Sequence, residues 1–194
     1  MDNLTAILLR TADFAASKHV DQRRKDSKAT PYINHPIGVT NILANEAGIE
    51  DIAVLQAALL HDTVEDTKTT LEELRLNFGD KVASIVAEVT DDKSLSKDER
   101  KRLQVEHAKH ASREAKLVKL ADKLHNLRDL VNNPPPDWTP ERVQGYFVWS
   151  REVVNACKGT NEALEAHLNA LFEKVIKNDQ TLDQYYASMK VSKD

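Results

Sequence analysis

Apolar residues in this chain recur at helical spacing, and no section is strand-rich. Leu4, Ile7, Leu8, Ala12 and Ala15 mark one such face, and Leu117, Leu120, Ala121, Leu124 and Leu127 mark another. Start and stop signals divide the rest into segments. The pattern predicts a first helix ending near Val20, then a polar, basic loop from Asp21 to Tyr32. A second helix starts around Pro36 and runs to about Ala47, where Gly48 stops it. Asp51 caps a third through Leu60, and Thr70 with Glu73 forms a capping box for a short helix closed at Phe78-Gly79. Further helices are expected over Asp80–Val89, from Ser96 or Asp98 to about Lys109, from Ser112 to the Asn132–Pro136 break, from Thr139-Pro140 to Ala156, and after Asn161. With 5 Gly in 194 residues and many Ala, Leu, Lys and Glu, the expected fold is all-α. It is a single bundle of about 8–10 helices over residues 1–177, followed by a polar tail over 178–194.

Hydrophobic content of 41% and charged content of 30% are those of an ordinary globular chain. A net charge of −4 gives no global basis for binding nucleic acid, so an anionic ligand must be met by local basic clusters. No apolar run approaches membrane-spanning length, and the amino terminus has no signal-peptide pattern. The lone Cys157 excludes an internal disulfide, fits a reducing compartment and reads as buried packing. A cytoplasmic location is the simplest expectation.

The segment Ala57–Thr67 (AALLHDTVEDT) breaks the pattern. An apolar helix runs into His61 and Asp62, with Glu65 and Asp66 just behind. A helix C-terminus carries partial negative charge, so three carboxylates there call for a compensating cation. Two other places stand out. His35 sits at a helix start behind the basic loop. Asp122 lies among Leu120, Ala121 and Leu124, a costly place for an unpaired carboxylate, with Asn126 one turn on along the same face. His35, His61, Asp62 and Asp122 together make a mixed nitrogen and oxygen donor set. That set suits Mn²⁺, Fe²⁺ or a catalytic Zn²⁺ rather than a sulfur-rich structural zinc. Glu65 and Asp66 would then position or deprotonate an attacking water. Arg24 offers a planar guanidinium for a base and Lys25 a point charge for phosphate. Lys97, with Arg100, Lys101 and Arg102, is a second basic cluster, and Arg142 with Tyr146 one turn later can line a nucleoside pocket.

The ordered set His35, His61-Asp62 and Asp122 resembles the HD superfamily of metal-dependent phosphohydrolases. RRKDSKATPYINHP, LLHDTVEDT and KLADKLHNLRDL resemble, more narrowly, the hydrolase domain of the RelA/SpoT alarmone enzymes, and the length resembles the small metazoan SpoT homologs. The resemblance runs from about Asp13 to Gly159. It implies one Mn²⁺ per chain on His35, His61, Asp62 and Asp122, water activation by Glu65 and Asp66, and nucleotide contacts from Arg24, Lys25 and Asn126. The implied activity is removal of the 3′-pyrophosphate of guanosine tetraphosphate, giving GDP and pyrophosphate. The same branch is associated with removal of the 2′-phosphate of NADPH, so that substrate stays open beside the first. A third reading is a catalytically silent nucleotide sensor on the same fold, against which the retention of Glu65 and Asp66 stands. No nucleic-acid or membrane partner is expected.

Blander readings compete at several positions. Asp122 can be an internal salt-bridge partner of Lys119 or Lys123, and Lys97–Arg102, interleaved with Asp98 and Glu99, reads as a salt-bridged surface helix. His19, His107, His110, His125 and His167 read as satisfied core residues or surface.

Overall fold

In the computed structural model, residues 3–176 are described; the tail expected over 178–194 lies outside them. Among the described residues there are ten α-helices, one π-helical turn and no strand. The helices are α1 (Leu4–Lys18), α2 (Asn34–Asn41), α3 (Ile52–Leu60), α4 (Thr63–Asp66), α5 (Leu71–Phe78), α6 (Asp80–Val89), α7 (Lys97–His110), α8 (Arg113–Asn132), α9 (Pro140–Ala156) and α10 (Glu162–Val175). Among the described residues no helix is long and apolar enough to cross a membrane.

Side-chain caps set most of these starts. Asn3, Asp51, Thr70, Ser96, Ser112, Thr139 and Asn161 each accept a hydrogen bond from a backbone N–H in the first turn of the helix they precede. Ser96, not Asp98, caps α7. The expected capping box at Thr70 is half made. Thr70 Oγ1 takes the Glu73 N–H, while the Glu73 carboxylate reaches Lys18 Nζ at 2.7 Å instead. Gly79 closes α5 at φ +87°, a region open to Gly at no steric cost.

Two local departures from the periodic reading matter for the site. The second helix starts at Asn34 and changes to a π turn over Ile42–Glu46 before reaching Ala47, whose N–H bonds the Ile42 carbonyl at 3.0 Å. The wider turn lets Ile42 and Leu43 both enter the core. The chain also does not trail off after α3. It breaks at His61 and starts α4, with Asp62 at its N-cap position. Glu65 and Asp66 therefore sit in the first turn of a new helix rather than past the end of an old one, which relieves part of the expected clash with the α3 dipole.

Every residue of α3 from Ala53 to Leu60 is buried, and this helix packs against α1, α2, α6 and α8. The long α8 contacts α2, α3, α6, α9 and α10. Two of the helices that position the acid and imidazole residues are thus packed on several sides within the bundle. Their side chains are held by that packing, which suits a site that needs fixed geometry.

Candidate metal centre and adjoining cavity

Three helices bring the marked residues together. His35 enters from the start of α2, His61 and Asp62 from the α3–α4 corner, and Asp122 from the middle of α8. Donor atoms of His35, His61 and Asp62 lie within 4.8 Å of one another. Asp122 Oδ1 faces the same point, 3.1 Å from His35 Nε2 and 3.8 Å from His61 Nε2. His35 and His61 are buried and their rings stand edge to face, centroids 5.2 Å apart.

A divalent metal fits this donor set. His61 Nε2 lies 3.0 Å from Asp62 Oδ2, yet it is buried and makes no aligned hydrogen bond among the described residues. A polar nitrogen left so is costly unless something else meets it. Its other nitrogen, Nδ1, donates to the Ala58 carbonyl at 2.8 Å, so Nε2 is the nitrogen that faces the carboxylates. Charge tells the same story. Burial works against a charged His61, but the Asp62 and Asp122 carboxylates outweigh it and hold the imidazole pKa well above its ordinary value. For His35 burial wins and lowers the pKa, with Asp122 opposing. Asp122 is held well below the usual carboxylate range: burial pushes it up, and the Lys123 ammonium, then His35 and His61, more than reverse this. Asp62 is lowered in the same way by the two imidazoles. Without an ion, an imidazole proton and the Lys123 ammonium supply the cluster's positive charge.

The competing readings of Asp122 turn out to be compatible for one lysine. Asp122 Oδ2 accepts from Lys123 Nζ at 2.9 Å while Oδ1 faces the histidines. Asn126 Nδ2 donates to Oδ1 at 2.6 Å. The Tyr32 hydroxyl donates to Asp62 Oδ2 at 2.6 Å, and burial, then the Asp62 charge, keep that phenol protonated.

Two cavities meet here. The smaller, about 130 Å³, holds His35, His61, Asp62, Asp122 and Glu65 in its wall. The larger, about 400 Å³, is lined by Lys25, Asp66, Trp138 and Tyr146 among others. Arg24, Tyr32 and Asn126 line both. The Asp21–Tyr32 loop is more ordered than its composition predicts. Arg23 and Pro31 form an antiparallel bridge, Asp26 ties down Thr30, and Arg24 is aimed inward. Arg24 Nη2 donates at 2.8 Å to both Asn126 and Asp129. Lys97 and Arg142 are outside both linings, but they share a positive field with Lys25: burial, then Arg142 and Lys25, lower the Lys97 pKa. Arg142 lies 4.5 Å over the Trp138 ring.

Glu65 and Asp66, adjacent in sequence, are parted in space. Glu65 faces the metal cavity. Its carboxyl is pushed up to about 7 by burial and then by the Asp91 charge, although it accepts the Asp91 N–H and has Arg100 at 3.7 Å. Asp66 faces the larger cavity, held by Lys93 and by Gln22 Nε2 at 2.7 Å.

The surface-helix reading of Lys97–Arg102 does not hold at Lys101, which is buried beneath Trp149, its Nζ 3.4 Å from that ring centroid. Cys157 is buried as expected; Lys119 is a basic neighbour unforeseen in the sequence, but burial wins and raises the thiol pKa. The bland reading of His125 also fails: its Nδ1 lies 3.0 Å from His35 Nδ1. Tyr32, Gln22 and Asp129 were likewise passed over. Tyr32 lies inside the PYINH motif, and His125 and Asp129 fall three and seven residues after Asp122, on the same helical face.

An all-helical bundle that places a histidine, a His-Asp pair and a distal aspartate around one cation-sized gap is the arrangement of HD domains, and the chain belongs to the HD-domain family, which its sequence matches over residues 11–145. It is 62% identical to the guanosine-3′,5′-bis(diphosphate) 3′-pyrophosphohydrolase MESH1 of Xenopus tropicalis, over 89% of this chain and 96% of that one. It is 63% identical to the Homo sapiens protein of the same name, over 90% and 97%. A solved structure, of a metazoan ortholog of SpoT said to hydrolyze ppGpp and to play a role in starvation responses, matches with TM-score 0.85 at 54% identity, over 87% of this chain and 95% of its own. The resemblance read from the three motifs is thereby borne out.

Proposed function

We propose that this chain is a metal-dependent hydrolase that removes the 3′-pyrophosphate of guanosine 3′,5′-bis(diphosphate), giving GDP and pyrophosphate. The carrying observation is the buried, unaligned His61 Nε2 facing Asp62 and Asp122 in a cavity that opens on a basic chamber. The relatives that bear this activity in their names match nearly the whole chain.

His35, His61, Asp62 and Asp122 would hold one ion. Mn²⁺ is the choice for a hard, mixed oxygen and imidazole set. When bound, it would polarise a phosphoryl oxygen and make a nearby water more acidic. Glu65 takes the proton of the attacking water as the new P–O bond forms at the 3′-phosphorus, the bond to the ribose 3′-oxygen breaks, and that oxygen takes up a proton to leave as the 3′-hydroxyl of GDP. A carboxyl poised near neutral pH is matched to that exchange. Asp66, braced by Lys93 and Gln22, orients the water or the phosphates from the chamber side. Arg24, fixed by Asn126 and Asp129, presents its guanidinium face to the base, while Lys25, Lys97 and Arg142 supply positive field for the phosphates. Tyr146 and Trp138, ring centroids 5.7 Å apart, close the far end of the chamber. That aromatic end also suits a second ring system, which favours NADPH as an additional substrate in the same site, cleaved at its 2′-phosphate. The reaction belongs in a cytoplasmic setting, where both nucleotides and a reduced Cys157 are at home.

Product analysis tests this. With Mn²⁺, the wild-type chain is expected to release pyrophosphate from guanosine tetraphosphate and orthophosphate from NADPH, and His61→Ala neither. Release from the first alone retains the main proposal and removes NADPH. Tight nucleotide binding with no product from either would instead make the chain a sensor.

A further inference from the structure

The two candidate ligand histidines are held by different means. His61 is locked by its own helix, through Nδ1–H to the Ala58 carbonyl. His35 stands second in α2, and its Nδ1 meets the ring of His125 instead of a backbone carbonyl, at 3.0 Å. With an ion on the His35 Nε2 lone pair, the ring proton would belong on Nδ1, which would then donate to His125 Nδ1. His125 is itself constrained. Its ring lies 4.8 Å from that of His35 and rests on Gly38, one turn along α2. A Cβ at Gly38 would fall 2.2 Å from His125 Nε2, closer than any real contact. Gly38 sits mid-helix in ordinary backbone, where Ala is the better helix former, so its lack of a side chain serves the ring. The same His125 Nδ1 lies 3.8 Å from Asp129 Oδ2, the carboxylate that holds Arg24 at 2.8 Å.

We infer that His125 is a positioning residue for the metal centre: it fixes the rotation and tautomer of His35, in a space that Gly38 keeps open. This rests on the metal-centre reading of His35 given above. His125 does not touch the ion or the reacting atoms, and it joins the wall that grips the substrate, through Asp129 and Arg24, to the wall that grips the metal.

The test is Mn²⁺ binding to the purified full chain, with free Mn²⁺ counted by its electron paramagnetic resonance signal. Five variants are needed: His125→Leu, His125→Asn, His125→Ala, Gly38→Ala and the double variant Gly38→Ala with His125→Ala. Leu and Asn remove the same ring and relieve the same contact, but only Asn keeps an acceptor near the Nδ1 position. His125→Leu is expected to weaken Mn²⁺ binding by about 10- to 100-fold, the usual loss when the partner of a ligating histidine is removed. His125→Asn is expected to recover most of that. Gly38→Ala is expected to weaken binding as His125→Leu does, and to add nothing in the His125→Ala background. Equal affinities for Leu and Asn, or a harmless Gly38→Ala, would overturn the inference. If His125→Leu does not fold, the Gly38 pair decides alone. A wild-type chain that binds no Mn²⁺, or a His61→Ala variant that binds it equally well, would instead overturn the metal-centre reading itself.

Discussion

At the scale of single residues, the site is an exercise in placing charge where water cannot screen it. Asp62 and Asp122 stay ionised in the interior because imidazoles, Lys123 and the Tyr32 hydroxyl surround them. At Glu65 the Asp91 N–H and Arg100 at 3.7 Å do not offset burial and the Asp91 charge, and its carboxyl is driven the other way, to about 7. That difference has a measurable sign. An unfolded Glu65 loses its proton near 4.5, whereas the folded one keeps it to about 7, so between those values the native state binds more protons. The metal-free protein is therefore expected to lose stability as pH rises from about 4.5 to about 7. Glu65→Gln should flatten that segment in urea titrations at fixed pH; an unchanged slope would show that Glu65 titrates normally. The candidate acidic ligands were legible in the sequence because each broke a local rule, a carboxylate in an apolar face or acids at a helix end, while His35 was carried by its motif. Tyr32 and His125 broke none, since an aromatic or a histidine on a half-buried face is ordinary.

At the scale of elements, α8 is the spine of both core and site. Its Leu117, Leu120, Leu124 and Leu127 are fully buried, while Asp122, His125, Asn126 and Asp129 form a polar stripe at helical spacing. Stripe and core share one rigid rod, so loosening one side disturbs the other. Leu124→Ala is expected to cost about 2–5 kcal/mol in the unfolding free energy, measured by urea denaturation of the metal-free chain. A loss well under 1 kcal/mol would mean that α8 relaxes around the cavity and does not hold the stripe in place. The helix starts were legible because side-chain caps announce them, from Asp51 to Asn161. The α4 turn and the π turn at Ile42–Glu46 were not, because both arise from tertiary demands. One re-aims Glu65 and Asp66, and the other buries two neighbouring apolar side chains. The split of Glu65 from Asp66 into separate cavities follows from that unforeseen corner.

At the scale of the molecule, cation binding and folding are coupled. The carboxylates and imidazoles converge only when α2, α3 and α8 are packed together, so an ion that binds the folded site stabilises the whole bundle. At an ion concentration of 100 times Kd the gain is about 2.7 kcal/mol. Mn²⁺ should thus raise the thermal midpoint, a chelator should reverse the rise, and His61→Ala should abolish it. The rise should also grow with pH until the raised His61 pKa is passed, since binding must displace the proton that the carboxylates hold on His61. A pH-independent shift of equal size in His61→Ala would place the ion elsewhere.

The central claim is that turnover depends on one ion held by these four side chains. The most direct measurement strips the wild-type chain of metal, restores Mn²⁺ in steps and follows pyrophosphate release from guanosine tetraphosphate beside Asp122→Ala. The account predicts no release from the stripped chain, recovery that saturates at one ion per chain, and none from Asp122→Ala at any Mn²⁺ level that saturates the wild type. Undiminished pyrophosphate release from metal-stripped Asp122→Ala protein would contradict it.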